Sequence, residues 1–109
     1  MDFKKIPFEQ NDKIELTDAE IAAAKRTYGD IYLIEMDGKK IYMHRPTRQI
    51  FDLAQTSAMK RPSLFEETIM TNCWLAGNKE ILDDVELFYG AARKVNEITK
   101  VAEAELKKL

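Results

Sequence analysis

Cysteine, histidine, glycine and proline are all scarce in this chain. Its 109 residues include one cysteine, one histidine, four glycines and three prolines. A single cysteine cannot form an internal disulfide, and structural zinc needs about four cysteine or histidine ligands, so neither cross-link can form within one chain. The four glycines lie far apart in the sequence, which argues against a glycine-rich phosphate-binding loop. We therefore expect no metal and no cofactor.

Long apolar runs and a strong net charge are also missing. No run approaches the ~18 apolar residues that cross a membrane, and the first residues lack the apolar core of a secretory signal. We therefore expect a soluble, cytoplasmic protein with no membrane partner. The 17 basic and 19 acidic side chains leave a net charge of −2, which provides no overall field for attracting nucleic acid.

The composition that remains is typical of one compact domain. Hydrophobic residues make up 45% of the chain and charged residues 33%, and the length suits a single domain. We predict an N-terminal arm over residues 1–16 and a single α+β domain over residues 17–109. The expected fold is one β-hairpin packed against about four helices, the last of them long and amphipathic. The predicted bounds are about 30–44 for the hairpin and about 18–28, 48–59, 64–75 and 84–108 for the helices.

Local signals support these elements. Alternating β-branched and aromatic residues flank Asp37-Gly38, a pair that favours a tight hairpin turn. Lys13-Ile14-Glu15-Leu16 also alternates and could add a short strand to the arm. A polar residue that could serve as an N-cap precedes each predicted helix. Thr47 is a single N-cap, and three pairs have the spacing of a capping box: Thr17 with Glu20, Ser63 with Glu66, and Asp83 with Glu86.

The last predicted helix is the strongest candidate for partner binding. Its apolar residues recur in steps of three and four as far as Leu109. An unbroken helix over 84–109 would be about 39 Å long, more than a globule of this size can cover. The main alternative to one long helix is a break at Gly90, because glycine is unfavourable in a helix interior. The residues expected to contact a partner or a second copy are Val95, Ile98, Ala102, Leu106 and Leu109, and the competing interpretation is a core helix with a frayed end.

Catalytic residues are not evident. His44 has no acidic or cysteine neighbour at ligand spacing, and Cys73 lies on an apolar helical face, where a thiol is inert. The carboxylates Glu66, Glu67, Asp83, Asp84 and Glu86 lie at predicted helix starts, where they would act as caps and complement the helix dipole. We therefore predict that the chain is not an enzyme.

A basic segment offers a weaker alternative. Residues 30–62 carry six basic and four acidic side chains, a small excess. These basic side chains could contact the phosphates of a nucleic acid while Tyr32 and Tyr42 stack on its bases. Alternatively, they could form a solvated rim around the hairpin. The basic side chains are Lys39, Lys40, Arg45, Arg48, Lys60 and Arg61.

The order of motifs resembles one known family. Residues 31–48 read IYLIEMDGKKIYMHRPTR, which is a hairpin followed by an Arg-Pro-Thr-Arg hinge and the start of a helix. Two further motifs precede the amphipathic helix: residues 72–77 read NCWLAG, and residues 82–88 read LDDVELF. This arrangement, over about residues 30–98, is similar to that of the tail assembly chaperones of tailed bacteriophages.

The resemblance implies a non-enzymatic protein made in the infected bacterium. Such a protein binds the long helical tape measure protein, keeps it soluble and aids tail tube polymerisation around it. Two alternatives stay open: a small self-associating structural or adaptor protein of a phage or bacterium, which would form a homo-oligomer, and a nucleic-acid-binding accessory protein.

Overall fold

A computed structural model describes residues 3–109 and shows an α+β fold, as predicted. Within this range, four α-helices surround a three-stranded antiparallel sheet with the strand order β1-β2-β3. Two short 3-10 helices, Phe8–Gln10 and Lys79–Leu82, complete the regular structure. The elements, in chain order, are α1 Asp18–Tyr28, β1 Ile31–Met36, β2 Lys39–His44, α2 Arg48–Ala58, α3 Leu64–Cys73, β3 Trp74–Gly77 and α4 Val85–Ile98.

The predicted hairpin is present as β1 and β2. Asp37 and Gly38 have φ angles of 49° and 73°, and positive φ at both central residues defines the type I′ turn that matches the twist of a hairpin. The strands pair in register from Met36 opposite Lys39 to Ile31 opposite His44. Pairing is therefore continuous along the whole of β1.

A third strand replaces the predicted end of the third helix. The prediction extended that helix to residue 75, but α3 ends at Cys73 and β3 pairs with β2, with Ala76 opposite Tyr42. All four residues of β3 are buried, and so short an apolar run has the same pattern in a buried helix and a buried strand. Gly77 permits the pairing, because a Cβ there would lie 2.5 Å from the carbonyl oxygen of Lys40.

Two of the four predicted N-caps are correct and two are not, although α3 begins at residue 64 as predicted. Thr17 and Glu20 form the expected capping box, and Thr47 accepts a hydrogen bond from the amide of Ile50. Ser63 makes no side-chain cap, because its φ and ψ angles of −64° and −17° are helical, whereas an N-cap residue is typically extended. The fourth helix is capped by Asp84, which accepts from the amide of Leu87, and not by the predicted pair of Asp83 and Glu86.

The core lies on both faces of the sheet. The larger cluster packs α3 and α4 against one face, around the fully buried Trp74, Ile41 and Met43. The smaller cluster packs α1 and the arm against the other face and includes Ala24 and Leu16.

The arm contains no strand within its described residues, but it is tied to β3. Buried Asn11 donates from Nδ2 to the carbonyl of Leu75 at 2.9 Å and accepts the amide of Lys13 at 3.0 Å. The amide of Gly77 in turn donates to the carbonyl of Lys13 at 2.9 Å. These bonds cover the outer edge of β3 without forming a regular ladder.

The last helix is shorter than predicted. α4 runs unbroken through Gly90 but ends at Ile98 instead of near residue 108. Gly90 sits where a Cβ would lie 3.1 Å from the sulfur of Met36, so it lets α4 approach β1 closely. Beyond Thr99 every residue is exposed, and a helical turn that gains little tertiary contact is marginal in water.

Candidate functional site

The structure divides the five residues predicted to contact a partner. Val95 is fully buried among the core residues, and Ile98 is half-buried against them. Ala102, Leu106 and Leu109 lie beyond the end of α4 and are exposed. Val95 is therefore a core residue, and the accessible part of the predicted surface begins at Ile98.

Residues 100–109, which we name the C-terminal segment, have no regular secondary structure. Every residue of the segment is exposed, including Val101 at 70% and Leu106 at 100%. Large apolar side chains left in water in this way lose the stabilisation of about 1.5–3 kcal/mol that full burial of each would give. The segment thus presents apolar groups that the domain itself does not cover.

The C-terminal segment continues the pattern of α4. Ala102, Leu106 and Leu109 follow Ile98 in steps of four, four and three, which would place all four side chains on one face of an extended helix. Its remaining residues are mostly alanine, glutamate and lysine, which favour helix. Because α4 already supplies a helical end, extending it would avoid the nucleation cost of an isolated helix.

A groove lies along the outer edge of β1. It has a volume of about 510 Å³ and is lined by residues 31–35 of β1 together with Lys94, Glu97 and Ile98 of α4. Leu33 is 47% exposed beside it. We call this the edge groove; it was not foreseen from the sequence, because no local pattern reveals which strand ends a sheet.

A second cluster, around His44, ties the arm to the hairpin. His44 Nδ1 faces the carbonyl of Arg45 at 2.8 Å and therefore donates to it, which leaves Nε2 to accept from Lys5 Nζ, also at 2.8 Å. Lys5 also donates to the carbonyl of Asn72, and the ring of Tyr28 stacks on His44 with centroids 4.2 Å apart. Lys5 was not foreseen from the sequence, because its partners His44 and Asn72 lie 39 and 67 positions further along the chain.

Burial determines the protonation of this cluster. It lowers the pKa of both Lys5 and His44, because charging either group inside the protein is unfavourable. It raises the pKa of the Cys73 thiol to about 12, an effect that nearby Lys5 only partly offsets. A buried thiol that stays protonated is a poor nucleophile, and the histidine uses both ring nitrogens in structural bonds. The cluster thus holds the arm in place and does not form a nucleophile and base pair.

The basic side chains predicted as a nucleic-acid surface are partly neutralised. Lys39 pairs with Glu80 at 3.1 Å, Lys40 pairs with Glu15, and Arg48 lies 3.8 Å from Asp52. Tyr42 is buried and donates its hydroxyl to Glu15 at 3.0 Å, so its ring is not available for base stacking. The small positive excess of the segment is reduced further by these contacts.

Neither a metal-binding cluster of side chains nor a membrane-spanning helix is present in residues 3–109. This range brings together no group of three or more histidine, cysteine or carboxylate side chains able to hold a metal ion. None of its helices is long and apolar enough to cross a membrane.

No family model, curated protein or solved structure matches the chain significantly.

Proposed function

We propose that this chain is a non-enzymatic, protein-binding chaperone of the kind that assists phage tail assembly. It acts in the cytoplasm of the host bacterium and binds the helical tape measure protein. The observation that carries the proposal is the C-terminal segment, in which helix-spaced apolar side chains are exposed to water directly after a folded helix. The motif order of residues 31–48, 72–77 and 82–88 supports the choice of family.

The binding step is a coupled folding reaction. An amphipathic helix of the tape measure protein covers Ile98, Ala102, Leu106 and Leu109, and the C-terminal segment becomes helical against it. Extending α4 from Ile98 to Leu109 would add eleven helical residues and lengthen it by about 16 Å. Glu103 and Lys107 would then form a favourable pair four residues apart on the exposed side. The entropy lost in ordering the segment weakens the complex, which suits a chaperone that releases its client.

The same geometry accounts for a role without catalysis. Cys73 is buried and protonated, and His44 is held by Lys5 and the carbonyl of Arg45. Cys73 and His44 therefore do not form the activated nucleophile and base pair that covalent catalysis by a cysteine uses.

A self-associating adaptor protein is the second candidate, and the edge groove favours it. A sheet edge that can pair with another strand supports assembly of copies without any client. The nucleic-acid alternative is less favoured, because Lys39, Lys40 and Arg48 are paired with carboxylates.

Co-expression tests the proposed function. The partner is the product of the nearest long, helix-rich reading frame downstream of this gene, which is where a tape measure gene should lie. We expect that protein to stay soluble only when this chain is present and to co-purify with it.

Single substitutions in the C-terminal segment make the test specific. Leu106→Asp should abolish capture, because it introduces a charge into the proposed contact. Ala104→Asp is the matched control: it adds the same charge in the same segment, but on the opposite face of the extended helix, and should preserve capture. Equal capture by both variants, or a partner that is soluble without this chain, would contradict the proposal.

A further inference from the structure

The two edges of the sheet differ in how they are covered. The outer edge of β3 is bonded by the arm, through Lys13 to Gly77 and Asn11 to Leu75. On the outer edge of β1, residues 3–109 supply no backbone partner, and the edge opens into the edge groove. The arm thus protects only one side of the sheet.

The outward backbone groups of β1 follow from the hairpin turn. In a two-residue hairpin the pair that flanks the turn exchanges both hydrogen bonds, and bonded and non-bonded pairs then alternate along the strands. Met36, Ile34 and Tyr32 therefore direct their amide and carbonyl groups toward β2. Ile31, Leu33 and Glu35 direct theirs outward.

The edge lacks the features that usually prevent strand pairing. Natural edge strands are short, carry lysine or proline, or are interrupted by a bulge. β1 has six residues, no proline and one charge, Glu35, and its ladder with β2 is regular. Leu33 adds an apolar side chain that is 47% exposed at its centre.

We propose that β1 is a homodimer interface, in which the β1 strands of two copies pair antiparallel about a two-fold axis at Leu33. In this register Leu33 faces Leu33 of the second copy, and Ile31 faces Glu35 of the second copy. The outward amide and carbonyl groups of Ile31, Leu33 and Glu35 then pair with the outward groups of the same three residues in the second copy. The result is a continuous six-stranded sheet, whose interface lies outside residues 100–109 and adjoins the proposed client surface only at Ile98.

The charges on α4 are complementary about the same axis. Gly90 lies beside Met36, while Lys94, Glu97 and Ile98 line the groove with residues 31–35, so α4 runs antiparallel to β1. The midpoint of residues 94 and 97 then lies alongside Leu33. The two-fold axis brings Lys94 toward Glu97 of the second copy, and Glu97 toward Lys94 of the second copy. Two equivalent ion pairs then form across the axis. Within one copy, Lys94 Nζ already lies 3.5 Å from Glu97 Oε1.

A second copy suits this edge better than an unrelated strand. Pairing about a two-fold axis uses the same surface on both copies and is therefore closed. Each β1 edge is consumed once, and because the arm covers β3, the assembly stops at two. A closed dimer would therefore leave no unpaired β1 edge for further copies to join.

Light scattering coupled to size exclusion tests the dimer with the full chain at tens of micromolar. We expect a mass of about twice 12.6 kDa. Leu33→Lys should give the monomer, since it places two like charges together at the axis. Leu53→Lys is the matched control, because Leu53 is 50% exposed on α2, and should remain dimeric. A monomeric or polymeric native chain, or a dimeric Leu33→Lys variant, would overturn the inference.

A charge exchange tests the register. Lys94→Glu or Glu97→Lys alone should raise the dissociation constant about tenfold, because each variant creates two like-charge contacts. The double variant should restore it to near the native value, and failure to do so would overturn the proposed alignment of α4. A chain ending at Thr99 should stay dimeric. A monomer from that chain would assign association to the C-terminal segment and overturn the edge interface.

Discussion

Gly77→Ala is the substitution that most directly tests the position of β3. Gly77 has a φ angle of 151°, and an added Cβ would lie 2.5 Å from the Lys40 carbonyl oxygen and 2.9 Å from the Cα of Ile41. Both contacts are with the backbone of β2, which cannot move aside without disrupting the sheet. Backbone strain costs about 1–3 kcal/mol and overpacking a similar amount. We expect a loss of about 2–6 kcal/mol in the free energy of unfolding, a large share of the stability of a small domain.

Urea denaturation followed by tryptophan fluorescence measures this loss, since Trp74 belongs to the same strand. Gly38→Ala is the control: its φ angle is 73°, but no atom lies within 4 Å of the added Cβ. That variant should lose only about 1–2 kcal/mol, the cost of a left-handed conformation for alanine. If the two variants lose equal stability, the close approach of β3 to β2 is not present and the reasoning fails.

Two further predictions concern the buried cluster around His44. Burial lowers the pKa of His44 below that of an unfolded histidine, about 6.5, so the unfolded chain binds the proton first and stability should fall as pH drops below about 6.5. His44→Asn should lose less stability than the native chain between pH 7 and pH 5, and an equal loss would show that His44 is not the group responsible. Cys73 is fully buried, with its pKa raised to about 12, so a thiol reagent should modify it at pH 8 only as fast as the protein opens. Rapid modification of the native chain would place Cys73 at the surface.

The hairpin and the first two helices could be predicted because their signals are local. Asp37-Gly38 fixes a turn, Thr17 with Glu20 fixes a helix start, and Thr47 fixes another. The third strand depends on distant partners instead. Nothing in the sequence from Trp74 to Gly77 distinguishes a buried strand from the end of a buried helix, and only pairing with β2 decides between them.

The candidate site was predicted in part for a related reason. The apolar stripe of α4 continues past Ile98 without a change of period, so the sequence does not show where the core ends. Val95 is buried and Leu106 is exposed although both belong to one pattern. The edge groove exists because β1 is an outermost strand of the sheet. That position depends on β3, which was not predicted and which pairs with the other side of β2.

We propose above all that the C-terminal segment binds a helical client. The most direct measurement is the soluble yield of the candidate tape measure protein when it is co-expressed with the full chain or with a chain that ends at Thr99. Because every residue after Thr99 is exposed, the shortened chain should fold with unchanged stability. We predict that it leaves the client insoluble, while the full chain keeps it in solution. Equal yields of soluble client with both chains would contradict the claim.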